Sequence, residues 1–349
     1  MTAKVRVAIG APMTEAYVAQ IRALDERLDV AYDASFFPTE RTLGDHHGYT
    51  TRELPEAEVD RFYDYLAGAE VVYGVPQMMP AGLKRLVETS PSLRWVHAVQ
   101  AGAGAFVTGA GLSAQQLDRV TVTTSAGVHA GPLAEFAMFG MLAGSQDLAR
   151  LKRLQQAREW PSRLLTAQLS GATVVIVGAG EIGKALAARA KAMGMHTIGV
   201  KRRVEDIEGF DEIVGSDALR EVAGRADHLV VTLPGTAHTE KMVDAGVLAA
   251  CKPGVVVVNV GRGTVIDEAA LIEALRSGHV SSAALDVFER EPLPGDSPLW
   301  GMPNVIVSPH SATLDSGEEG RVAALFVENL RRYLDRAPLR NVVDPVQGY

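Results

Sequence analysis

Arg262, His310 and a carboxylate of the segment Asp286–Glu291 are groups of this 349-residue chain that could do chemistry together, and each holds a marked place in it. Arg262 lies between Gly261 and Gly263, Glu291 precedes Pro292, and His310 follows Pro309. Each comes after a short run, Val255–Val260, Ser282–Val287 or Val305–Ser308, that reads as a strand of a parallel sheet. Open parallel sheets bind ligands beyond the carboxyl ends of their strands, so the three side chains are expected to converge. A guanidinium can fork onto a carboxylate. An imidazole can give or take a proton near neutral pH. This is a set for holding an anion and moving a proton.

A second constellation lies upstream. Four β-branched residues, Val174–Val177, run into Gly178-x-Gly180-x-x-Gly183, and a helical pattern opens with Glu181 and Ile182. In that context the first glycine allows a tight turn and the second lets backbone approach a pyrophosphate. The third lets helix and strand pack closely, with the helix N-terminus toward the phosphates. The acidic residue expected about 20 residues on, to hold a ribose 2′-hydroxyl, is absent. Lys201, Arg202 and Arg203 stand there instead. Such cations suit a 2′-phosphate, so the sequence favours NADPH and leaves NADH possible; the other reading of the three residues is a solvated turn.

These residues need a scaffold, and the chain alternates apolar runs with helical patterns, as a parallel α/β sheet does. Strands are expected at Val5–Ile9, Val71–Tyr73, Trp95–Val99, Thr173–Val177, His196–Val200 and His228–Leu233, besides the three above. One helix should run over Asp267–Arg276, capped by Asp267 and followed by Gly278. A closing helix, Arg321–Leu334, with Ala324, Leu325, Val327, Leu330 and Leu334 at helical spacing, should return to the first domain. The polar tract Ser35–Pro55 reads as a long excursion, a lid or contact arm, and its adjacent His46 and His47 read as solvated rather than metal-binding.

The length suits two domains. A net charge of −8 argues against nucleic acid and anionic membranes as partners. The lone Cys251 excludes an internal disulfide or a cysteine-built metal cluster and fits a reducing, cytoplasmic setting. No 18-residue apolar run exists, and the N-terminus reads as a first strand rather than a signal peptide.

Further segments appear in a telling order: Gly102-Ala103-Gly104, Gly127-Val128-His129-Ala130, Leu233-Pro234-Gly235-Thr236 with Thr239, and Ser297-Pro298-Leu299-Trp300. With the motifs above, the chain from about Val96 to Asn329 resembles the D-2-hydroxyacid dehydrogenases. That family includes glyoxylate/hydroxypyruvate reductases, D-lactate dehydrogenases and phosphoglycerate dehydrogenases.

The resemblance implies two Rossmann-like domains with parallel sheets and an active-site cleft between them. The substrate domain would be discontinuous, residues 1–102 plus 315–349, and the dinucleotide domain would span 103–314. It implies that Arg262 holds the carboxylate and keto oxygen of a 2-oxo acid. His310 would protonate the developing alkoxide, and Glu291 would hold the other imidazole nitrogen. Backbone donors of Ala103 and Gly104 would take the substrate carboxylate. Leu233, Pro234, Thr239 and Val260 would line the cofactor site, and Asp286 would reach the nicotinamide carboxamide. Trp300 reads equally as packing or as a substrate wall. Phe106, where the family usually has aspartate, and Ser311-Ala312-Thr313 after His310 depart from the pattern and leave the substrate open. A homodimer is expected. Two other readings remain: an NAD(P)-sensing protein like the C-terminal-binding-protein corepressors, and a formate or phosphite dehydrogenase on the same scaffold.

Overall fold

Apolar runs rich in valine favour strands, and they build two parallel sheets in a computed structural model that describes residues 4–37 and 55–345. His46 and His47, with the tract around them, lie outside the described residues. The first sheet contains β1 (Val5–Ile9), β2 (Leu28–Ala31), β3 (Val71–Tyr73), β4 (Trp95–Ala98) and β5 (Thr121–Thr124), in the order β2-β1-β3-β4-β5. The second contains β6 (Thr173–Val177), β7 (His196–Lys201), β8 (Glu212–Gly215), β9 (His228–Val231), β10 (Val255–Asn259), β11 (Val280–Leu285) and β12 (Val305–Val307). Its order is β12-β11-β10-β9-β6-β7-β8, and every pairing is parallel. Strand order reverses at β6, whose carboxyl end runs into the glycine loop.

The chain divides into two compact units, Met1–Val128 with Leu314–Tyr349, and His129–Thr313. Residues 103–128 therefore belong to the first unit, and a boundary at 102/103 is too early. The reason is β5, which pairs with β4 from Trp95↔Thr121 to Ala98↔Thr124. Its sequence, Thr-Val-Thr-Thr, carries no apolar run. The other two strands that the sequence pattern passes over, β2 and β8, are also edge strands, where half-solvated positions admit polar residues.

The closing helix, Glu318–Leu334, belongs to the first unit and buries Val322, Phe326 and Leu330 completely. Leu325, Val327 and Leu330 are buried as the sequence pattern has them, Leu334 is half-buried, and Ala324 alone of that set faces outward. Phe326 stacks on Trp95 at 5.2 Å and meets Tyr73 edge-on at 5.0 Å. Cutting it to alanine would cost about 3–5 kcal/mol. In the second unit, Glu268–Ser277 is capped as expected: Asp267 accepts from the Ala270 N–H at 3.1 Å, and Gly278 closes it at φ 78°.

Among the described residues each unit buries one histidine. In the first, Trp95 Nε1 donates to Thr123 Oγ1 (2.8 Å), whose hydroxyl is 2.9 Å from His97 Nδ1. Ser125 gives its hydrogen to the Ala98 carbonyl (3.2 Å) and so accepts from His97 Nε2 (3.3 Å), and the neutral ring accepts at Nδ1 from the Thr123 hydroxyl. Burial holds the His97 pKa down to about 3 and that of His228, in the second unit, to about 4, against an ordinary 6.5. Below pH 6.5 the unfolded chain therefore binds protons that the folded units refuse. Stability is full above that pH and falls as pH drops toward 4 and then 3, by about 1.4 kcal/mol per pH unit of depression. Urea midpoints should fall steeply between pH 6.5 and 4, and His228→Gln should flatten the second unit's share. An unchanged acid slope in that variant would contradict the assignment.

Candidate active site

The glycine loop is fixed by what each glycine must avoid. Gly178 sits at φ 120°, and a Cβ there would lie 2.6 Å from Thr232 Oγ1; one on Gly183 would lie 2.1 Å from the Gly178 carbonyl oxygen. Gly178 must be glycine for its positive φ and for Thr232 beside it, and Gly183 because helix Glu181–Ala192 packs hard against the end of β6. Gly180 is different: a Cβ there meets no protein atom within 4 Å. The protein's own packing does not require a glycine at that point, whereas the approach of a phosphate group does. No side chain caps this helix, so its first N–H groups remain for an anion. The residues present thus fit a dinucleotide.

Glu181 is exposed and pairs with Lys184 at 2.9 Å, and Ile182 is half-buried. Thr232, which the sequence motif does not reveal, braces the loop by donating to the Gly178 carbonyl at 2.7 Å. Arg202 and Arg203 are exposed just past β7, while Lys201 is already paired with Glu205. That pairing holds the Glu205 carboxyl below the usual range. After β9, Leu233 packs beside Gly178. Thr239 is a loop brace, its hydroxyl donating to the Pro234 carbonyl (2.7 Å) and accepting from the Thr236 N–H (2.9 Å). Val260 is buried.

Arg262 is presented by the loop after β10. Buried Asn259 accepts from the Gly261 N–H (3.0 Å) and donates to the Arg262 carbonyl (3.0 Å), tying the loop to the strand. A Cβ at Gly261 would strike the Leu233 backbone at 2.4 Å, and one at Gly263 would strike Phe288 at 1.8 Å. Both neighbours of Arg262 are therefore pressed inward, and the guanidinium is left exposed, with one N–H on the Gly261 carbonyl at 2.8 Å.

Glu291 and His310 meet. His310 Nδ1 is 2.7 Å from Glu291 Oε2, and the other carboxylate oxygen accepts from the Phe288 N–H at 3.0 Å. A carboxylate only accepts, so Nδ1 carries the hydrogen and Nε2 is directed away from Glu291. His310 stands at φ 53°, a left-handed conformation that a side chain adopts at a cost of about 1–2 kcal/mol. The loop around it is gathered by Asp286, which is 1% exposed. Its Oδ1 accepts from Ser308 Oγ (2.5 Å), the Ser311 N–H (2.9 Å) and the Ala312 N–H (3.1 Å). Asp286 thus shapes the His310 loop, and only Oδ2 stays clear of that work for a carboxamide.

Trp300 is 54% exposed, its indole N–H anchored on the Pro294 carbonyl at 2.9 Å. Arg262, Glu291, His310 and the glycine loop all lie in the second unit, at the carboxyl edge of one sheet. Ala103 and Gly104, which begin helix Gly104–Gly109, lie in the first, both buried.

Residues 138–312 match the family described as D-isomer specific 2-hydroxyacid dehydrogenase, NAD binding domain. The chain is 37% identical over 199 residues to the D-3-phosphoglycerate dehydrogenase of Mycobacterium leprae, covering 57% of this chain and 38% of that protein. The D-isomer specific 2-hydroxyacid dehydrogenase of Xanthobacter autotrophicus Py2, solved with NADPH and MES, is 30% identical, with a TM-score of 0.75 over 99% of this chain and all of that one. An NADPH-dependent glyoxylate/hydroxypyruvate reductase from Sinorhizobium meliloti, solved with NADP and sulfate, is 28% identical, with a TM-score of 0.73 over 99% of this chain and all of that one. With its parallel sheets, glycine loop and paired His310 and Glu291, this chain belongs to the D-isomer specific 2-hydroxyacid dehydrogenase family, NAD(P)-dependent oxidoreductases that act on a CH–OH group.

Proposed function

We propose that this protein reduces a small 2-oxo acid, of the glyoxylate or hydroxypyruvate class, to the D-2-hydroxy acid with NADPH. The observation that carries the reading is the 2.7 Å contact of His310 Nδ1 with Glu291, which fixes the ring and leaves Nε2 for an incoming oxygen. A bound reduced nicotinamide supplies the hydride that the ketone carbon receives. The Arg262 fork grips the substrate carboxylate and polarises the keto oxygen. His310 Nε2 gives its proton to that oxygen as negative charge develops, and Glu291 balances the ring's positive charge beforehand.

NADPH is favoured by two exposed arginines at the end of β7, since a planar fork grips a 2′-phosphate well. Lys201 contributes less because Glu205 already holds it.

The protein works as a homodimer on this reading. Phe139 and Leu142 on helix Ala130–Ser145 are 46% and 39% exposed, and Leu151 is 42% exposed. Beyond them Trp160 and Leu165 are each 96% exposed, more apolar surface than a monomer keeps without a use.

Three measurements follow. Catalytic efficiency with NADPH should exceed that with NADH at least tenfold, and Arg202→Ala should lose most of that margin while sparing NADH, as expected for a charge-assisted bond of about 1.5–3 kcal/mol. Equal use of both cofactors in the wild type would overturn the cofactor reading. His310→Ala should lower kcat by about 10²–10⁴-fold with NADPH still bound, and Arg262→Lys, which keeps charge but not the fork, should raise KM and lower kcat. Near-normal kinetics in both variants would remove them from the reaction. Light scattering should give twice the chain mass for the wild type, and Trp160→Glu with Leu165→Glu should shift it toward the monomer; a monomeric wild type would refute the pairing.

A further inference from the structure

We propose that Lys241 is a positioning residue for this reaction, one ammonium group that sets the Arg262 loop and the Glu291 loop against each other. The inference rests on the reading of Arg262, Glu291 and His310 as the reducing site.

Lys241 ends the loop that starts at Leu233 and takes a left-handed conformation, φ 48°. Its N–H donates to the Thr264 carbonyl at 2.8 Å, two residues past Arg262. Its ammonium lies 3.4 Å from Asp267 Oδ2 and 3.5 Å from Glu289 Oε1. Asp267 caps the helix that follows the Arg262 turn. Glu289 stands two residues before Glu291 and exchanges bonds with Glu268. The Glu289 N–H donates to Glu268 Oε2 (3.1 Å), and the Glu268 N–H donates to Glu289 Oε1 (3.4 Å).

Three carboxylates, those of Asp267, Glu268 and Glu289, thus gather where two loops cross, and Lys241 is the cation the structure places among them. Glu289 first, then Asp267, raises the Lys241 pKa, while burial and the neighbouring Glu289 raise that of Glu268. Without the ammonium, like charges would push the Glu289 and Glu268 segments apart. The strain would pass to Phe288, whose N–H holds Glu291, and so to the ring of His310. Half-exposed ion pairs add little to global stability, so the effect belongs in local geometry. There, a displacement of about 1 Å can cost roughly 10²-fold in rate.

The test compares wild type, Lys241→Met, Lys241→Arg and the charge exchange Lys241→Glu with Glu289→Lys, by steady-state kinetics on hydroxypyruvate with NADPH and by amide hydrogen exchange. Lys241→Met should lower kcat about tenfold with NADPH affinity and Tm unchanged, and Lys241→Arg should restore most of the loss. Amides of 264–268 and 288–291 should exchange faster in Lys241→Met while those of Glu181–Ala192 do not change. The charge exchange should recover part of both readouts. Unchanged kcat, or exchange that rises equally across the second unit, would overturn the proposal. If the wild type reduces no 2-oxo acid, the proposed function fails, and the local exchange pattern still decides whether Lys241 holds the loops.

Discussion

One buried oxygen, Asp286 Oδ1, holds the arrangement on which the proposed chemistry depends. It draws Ser308, Ser311 and Ala312 onto a single point, and the chain between them has to pass through His310 in a left-handed turn. Hydrogen bonds to a charged acceptor contribute about 1.5–3 kcal/mol each, which offsets the cost of that turn. The turn throws the imidazole toward Glu291, whose own loop is fixed by the Phe288 N–H. An acid–base pair is thus set by backbone on both sides, before any ligand arrives.

The same sheet edge solves a second problem, bringing backbone close to a ligand without filling the space with side chains. Gly178 makes the turn beside Thr232, Gly183 lets the helix abut the strand, Gly180 leaves the cradle bare, and Gly261 and Gly263 turn Arg262 outward. The parallel order, reversing at β6, lines these loops along one edge. The proposed chemistry therefore draws on loops held at the ends of paired strands, as precise geometry requires.

Much of this was legible in the residues. The central strands β6, β9 and β10 announce themselves as apolar, valine-rich runs, and the dinucleotide loop announces itself because three glycines follow one of them. Edge strands β2, β5 and β8 were not legible: half of their surroundings is solvent or helix, and sequences such as Thr-Val-Thr-Thr carry no run to read. The boundary at 128/129 was missed with β5. Arg262 and His310 could be named from their places at strand ends and Glu291 from the family resemblance, but their supports could not. Thr232 and Lys241 act through contacts 54 and 26 residues away, and Asn259 acts through bonds to Gly261 and Arg262 that exist only once the loop has turned. Asp286 shows the opposite limit. It stands where the family pattern puts it, and its described bonds run to the His310 loop.

The central claim is that hydride passes from a nicotinamide to the carbonyl carbon of a 2-oxo acid held by Arg262 and protonated by His310. The most direct measurement follows the atom. Hydroxypyruvate should be incubated with the protein and NADPH carrying deuterium at the transferable C4 position, and the product analysed by mass spectrometry and chiral chromatography. The account predicts the D-hydroxy acid with deuterium on the carbon bearing the new hydroxyl. An L product, or a D product without deuterium at that carbon, would contradict it.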